Sequence, residues 1–147
     1  MRSETDVPAA PFRSAAEFRE VIDRTFAIMS EDREMGPKLR EADTPQRFEF
    51  PDFDLVFNVR AGHGDEPNLV WEWSDSVDWE PRVRMAMDSD VANRFFQGKE
   101  NVAIAIARRR IKPGGDMKAA LAILPLTKPV FARYSEMVAT DYPHLAV

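Results

Sequence analysis

SDVANRFFQGKENVAIAIARRRIKPGGDMKAAL, residues 89–121, sets large apolar side chains directly before three consecutive arginines. Ser89 is a good helix cap, and Val91, Ala92, Phe95 and Phe96 then share one face until Gly98 stops the turn. Residues 101–112 stay open on pattern alone, because Val102, Ile104 and Ile106 alternate with alanines that tolerate helix or strand. Gly114 and Gly115 break the chain, Asp116 caps, and Met117, Ala120, Leu121 and Leu124 make a helical stripe expected to stop at Pro125. Thr127 and Pro129 open a last helix carrying Val130, Phe131, Tyr134, Met137 and Val138, ending before Pro143.

Working back toward the N-terminus, Leu69, Trp71 and Trp73 alternate with Val70, Glu72 and Ser74, and Val83, Met85 and Met87 alternate with Arg84, Ala86 and Asp88. Phe53, Leu55, Phe57 and Val59 give a further strand of the same period. Short connections predict an antiparallel meander with one apolar face, to be covered by helices. Ahead of it, Ser14 and Glu17 match a capping box before the stripe Phe18, Val21, Ile22, Phe26 and Met29. That helix is expected to end near Ser30, with a shorter one opening at Gly36 and Pro37 and running to about Ala42. Residues 1–11 read as a loose arm and residues 12–147 as one domain.

The 147 residues are enough to bury a sizeable core without a metal or staple. No cysteine is present, which removes disulfides and thiol chemistry. With 20 basic against 25 acidic side chains the net charge is −5, which disfavours nucleic acid as a partner. Lys99 to Lys118 nevertheless holds six basic and two acidic residues. No apolar run is long enough to span a bilayer, no signal peptide is visible, and the sequence ends in His-Leu-Ala-Val rather than a peroxisomal tripeptide. A soluble, cytoplasmic protein is the expectation.

Leu69 to Leu124 holds several signals in one order: an aromatic-rich hairpin, the strand end Met87-Asp88-Ser89-Asp90, Gln97-Gly98-Lys99 closing an apolar helix, Arg109-Arg110-Ile111-Lys112, and residues 114–126, GGDMKAALAILPL. This order resembles the sterol-binding domain of the type-two sterol carrier protein family. The resemblance implies an α+β domain: a mainly antiparallel sheet of four to five strands, covered on one face by about five helices that enclose an apolar tunnel. It also implies that residues 101–107 are a helix and 109–112 a late strand. Two departures stand out. Arg109 occupies a position where the family commonly has glycine, and Pro113 one where a branched apolar residue is usual; proline confines that strand to a short or edge role.

The function implied is non-catalytic binding or transfer of a fatty acid, fatty acyl-CoA, phospholipid or sterol. The candidate lining is Phe95, Phe96, Val102, Ile104, Ile106, Met117, Leu121, Leu124, Phe131 and Met137, with Arg108, Arg109 and Arg110 at the mouth or head group. Each apolar position alone is compatible with plain core packing, but seven methionines and so much helical apolar surface favour a cavity. Burying a sixteen-carbon chain contributes on the order of 10 kcal/mol gross at about 0.8 kcal/mol per methylene, so few polar contacts are required. No cofactor or metal is called for: His63, near Asp65 and Glu66, matches no ligand spacing, and Glu72, Asp75, Asp78 and Glu80 read as turn carboxylates rather than an acid–base pair. The alternative is an accessory dimerisation or docking module for an enzyme of lipid or steroid metabolism. A homodimer and transient membrane contact are further expectations.

Overall fold

The first helix starts at a side-chain cap: Ser14 Oγ accepts from the Glu17 amide at 3.0 Å, while the Glu17 carboxylate reaches back past the cap residue to accept from the Arg13 amide at 2.9 Å, one residue before the partner that a capping box uses. The computed structural model describes residues 11–147, so the expected N-terminal arm, apart from Pro11, lies outside the described residues. From that cap α1 runs over Ala15–Glu31 and buries Phe18, Val21, Ile22, Phe26 and Met29. Asp32 then accepts from the amides of Glu34 and Met35, opening α2 over Met35–Ala42.

Five strands form one open sheet: β1 Gln46–Phe50, β2 Leu55–Ala61, β3 Leu69–Trp73, β4 Val83–Met87 and β5 Ile111–Gly115. Their order is β3-β2-β1-β4-β5, with β1 and β4 parallel and every other pair antiparallel. Two expectations need correction. The strand expected from Phe53 begins only at Leu55, because residues 51–54 form a tight turn in which Asp54 takes φ 54°, and the five residues before it are a separate strand, β1. Nor do the strands make a simple meander, since β4 pairs with β1 rather than with its sequence neighbour β3. Residues 74–82 carry the chain beneath the outer face, where the Ser74 carbonyl accepts from Asn58 Nδ2 and the Asp75 carbonyl from Arg47 Nη1, both at 2.8 Å.

The remaining helices are α3 Ser89–Phe96, α4 Val102–Ala107, α5 Met117–Thr127 and α6 Val130–Asp141, followed by a 3-10 turn at Pro143–Leu145. Asp88, not Ser89, is the cap residue of α3: its backbone is extended and its side chain makes no capping bond, while Ser89 is already the first helical residue and its hydroxyl donates to Asp52 Oδ2 at 2.6 Å. Asn101 caps α4 and Asp116 caps α5, each accepting from an amide three residues on at 3.0 Å. The α5 stripe continues through Pro125 instead of stopping there, since proline in the last turn removes a single backbone bond, the one to Leu121, while the Thr127 hydroxyl donates to the Leu124 carbonyl at 2.8 Å. The helices cover the apolar sheet face, with α1 over the aromatic half: Asp23 Oδ1 accepts from the indoles of Trp71 at 3.1 Å and Trp73 at 2.8 Å. Among the described residues no helix is long and apolar enough to cross a membrane.

Candidate functional site

Strand alternation decides what the inner face offers. Phe48 and Phe50 of β1, Phe57 and Val59 of β2, and Val83, Met85 and Met87 of β4 point the same way, with Ile111 at the edge. Over them lie Ile22, Phe26 and Met29 of α1, Leu39 of α2, Ala92, Phe95 and Phe96 of α3, Val102 of α4, and Ala120, Ile123 and Leu124 of α5. Together they line a partly open cavity of about 100 Å³. Its lining has no charged residue and three polar ones, Thr44, Gln46 and Thr127.

Of the apolar residues singled out from sequence, Phe95, Phe96, Val102 and Leu124 meet at this cavity. Ile104 and Leu121 instead face outward, 46% and 62% exposed. Ile106 packs on a small satellite cluster of Val91, Ala105 and Ile111; Phe131 stands edge-on to Phe95 at 5.2 Å between centroids; Met137 is buried in the main core; Met117 is half-buried at the start of α5. None of these four lines the cavity. The floor was missed as ligand-facing surface, although the alternation of β2 and β4 carried the signal.

The three arginines are exposed and also lie outside the lining. Arg110 and Arg94 both pair with Glu100, whose side chain is only 2% exposed, so Arg110 serves a local ion-pair network. Arg108 and Arg109 have no such partner among the described residues. Arg109 adopts φ 61°, the left-handed region that favours glycine. Pro113 lies in edge strand β5 opposite Met85, where its missing N–H disrupts no inner ladder. Gly115, at φ 81°, lets the chain pass the Arg82 carbonyl, which a Cβ would overlap, and turn into α5.

The other titratable candidates sit away from the cavity. His63 lies 3.7 Å from Asp43 on the surface, and Glu66 grips Arg60 through two 2.9 Å hydrogen bonds. That guanidinium, with the His63 amide, holds the Glu66 carboxyl down at about 2. Among the described residues no group of three His, Cys, Asp or Glu side chains is placed to hold a metal. Glu72, Asp75, Asp78 and Glu80 line no part of the cavity.

No family model matches the sequence, and no curated protein matches it. Solved structures do match by fold. The UbiJ-SCP2 ubiquinone synthesis protein is 8% identical at a TM-score of 0.57, over 77% of this chain and 94% of its own. Sterol carrier protein 2 from Yarrowia lipolytica is 15% identical at a TM-score of 0.51, over 82% of this chain and 93% of its own. The inverting sec-alkylsulfatase Pisa1 from Pseudomonas sp. is 18% identical at a TM-score of 0.53 over 62% of this chain, which spans 14% of that enzyme's length. The sheet order, the helical cover and these matches agree: the chain has the sterol carrier protein 2 fold.

Proposed function

We propose that this protein binds an elongated lipid in the space between sheet and helices, without catalysis. The observation that carries the reading is an internal lining of apolar side chains with no charged member. A space of about 100 Å³ is small beside the roughly 300 Å³ or more of a ligand pocket, so binding requires the site to widen. Helix α5 is the wall suited to move: it packs on α2 and β4 and buries only Ala120 and Ile123.

Denaturing extraction with mass spectrometry, and titration with a neutral fluorescent polyene lipid, test the reading. Saturable binding is expected, and Ala120→Phe, which fills the cavity, should weaken it at least about tenfold while the fold persists. No co-purified lipid and no binding up to about 100 μM, equivalent to less than roughly 6 kcal/mol, would sink it.

Loading from an anionic bilayer belongs to the same proposal. Exposed Ile104 and Leu121 lie on helices that also wall the cavity, with exposed Arg108 four residues after Ile104, Arg109 next to it, and exposed Lys118 three residues before Leu121. Basic residues near an anionic surface contribute about 1 kcal/mol each. Co-sedimentation with phosphatidylglycerol-containing vesicles but not with pure phosphatidylcholine is expected, and Arg108→Glu with Arg109→Glu should abolish it.

A second reading is favoured by the alkylsulfatase match, in which the fold is a small part of a larger chain. There the apolar surface would serve dimerisation or docking to an enzyme. Mass that rises with concentration in the absence of any bound lipid would support it.

A further inference from the structure

The open sheet ends in β3 on one side and β5 on the other, and the chain blunts only β5. We infer that β3 is a docking edge for an extended basic segment of a partner protein, which adds to the sheet as an antiparallel strand. At the β5 edge, the bond from the Asp116 amide to the Arg82 carbonyl at 2.9 Å sets the phase of the ladder, so residue 113 turns its backbone away from β4. That residue is proline, which has no N–H to offer, and exposed Lys112 precedes it.

Strand β3 has neither device. Bonds from the Gly62 amide to the Asn68 carbonyl at 2.9 Å and from the Ser74 amide to the Val56 carbonyl at 3.1 Å fix its phase. Val70 and Glu72 therefore turn their N–H and C=O groups to β2, while Trp71 and Trp73 turn theirs outward. Ser30 covers the start of the edge, its hydroxyl accepting from the Leu69 amide at 3.0 Å and its carbonyl from Asn68 Nδ2 at 2.8 Å. Past that point no described residue bonds the backbone of Trp71 or Trp73, and the strand carries no proline, lysine or bulge. Two donors and two acceptors are thus presented to an incoming strand.

Charge decides which strand fits. A second copy of this chain, paired about a two-fold axis, uses all four groups only with Trp71 set against Trp73, which places two copies of Glu72 directly opposite each other, a repulsive pair. Glu72 is exposed, and the nearest arginines on its face are spent elsewhere, Arg47 on Glu49 at 3.0 Å and Arg60 on Glu66 at 2.9 Å. Asp75, Asp78 and Glu80 follow it and are exposed too. A guest residue opposite Glu72 shares its face of the sheet, so lysine or arginine is favoured there. Guest residues opposite Trp71 and Trp73 turn to the other face, beside the two indoles, and are apolar. Neither tryptophan nor Glu72 lines the cavity, so this inference stands apart from lipid binding.

The test measures fluorescence anisotropy of labelled, end-blocked peptides with the full chain at about 50 mM salt. Val-Lys-Val-Lys-Val should bind with a dissociation constant below about 100 μM, and Val-Glu-Val-Glu-Val at least about tenfold more weakly. N-methylation of the valines, whose N–H groups face β3, should weaken binding at least about tenfold, whereas N-methylation of the lysines, whose N–H groups point away, should change it less than about threefold. Glu72→Lys should bring the basic and acidic peptides to within about twofold of each other. No binding up to about 1 mM, equal effects of the two methylations, or an unchanged ranking in Glu72→Lys would overturn the inference. So would a mass that doubles without peptide, which makes a second copy the occupant, or binding only after removal of residues 1–10, which makes that segment the occupant. Should Glu72→Lys not fold, the two methylated peptides with the parent chain decide alone.

Discussion

Arg109 shows at the scale of one residue how strain was partly legible. Its departure from the glycine usual in the resembled family marked the position, and the backbone there adopts φ 61°, which disfavours any side chain with a Cβ by about 1 kcal/mol. Arg109→Gly should raise the urea midpoint by the equivalent of about 0.5 to 1 kcal/mol. Other single-residue roles were invisible because they depend on partners set by the fold. Tyr134 is fully buried, donates to Asn93 Oδ1 at 2.7 Å, and burial pushes its phenol above the ordinary value near 10. Its contribution is therefore intact below pH 10 and is lost as pH rises above it, because only the unfolded chain then ionises. Tyr134→Phe should cost about 1 kcal/mol at pH 7 and make thermal stability flatter above pH 10. Glu66 has the opposite sign: its carboxyl is held at about 2 against 4.5, so its pairing with Arg60 stabilises above pH 4.5 and fades as pH falls toward 2. Melting curves of Glu66→Gln and the parent should differ at pH 7 and converge near pH 2.

Among the elements, α5 combines features that sequence caught and one it did not. The Asp116 cap was plain, since aspartate after two glycines leaves little choice. Continuation through Pro125 was not, because the proline signal is the same whether a helix stops or merely loses one bond. Asp116→Ala should cost about 1 kcal/mol and speed amide exchange across α5 ahead of the rest of the chain. Pro125→Ala should act the other way, restoring a bond to Leu121, slowing exchange there and slowing ligand uptake by stiffening the wall that has to move. Strand β1 was lost for a related reason: Phe48 and Phe50 alternate with Arg47 and Glu49, but five residues between Pro45 and Pro51 look like a linker until β2 and β4 are seen on either side.

For the whole molecule, the α+β class and the covering of one sheet face could be read from periodicities of two and 3.6, whereas strand order could not, because local pattern says nothing about which edge a returning strand will join. That order divides the sheet at its parallel pair. Residues 46–73 supply β3-β2-β1 and residues 83–115 supply β4-β5, joined through residues 74–82 and the β1–β4 ladder. The cavity straddles the division, with Phe57 and Val59 on one side and Val83 and Met87 on the other. A bound lipid would thus act as a non-covalent rivet between the two lobes, adding about 2.7 kcal/mol at a hundredfold excess over its dissociation constant. Protein cleaved once within residues 74–82 should hold together when loaded and come apart at far lower urea when empty.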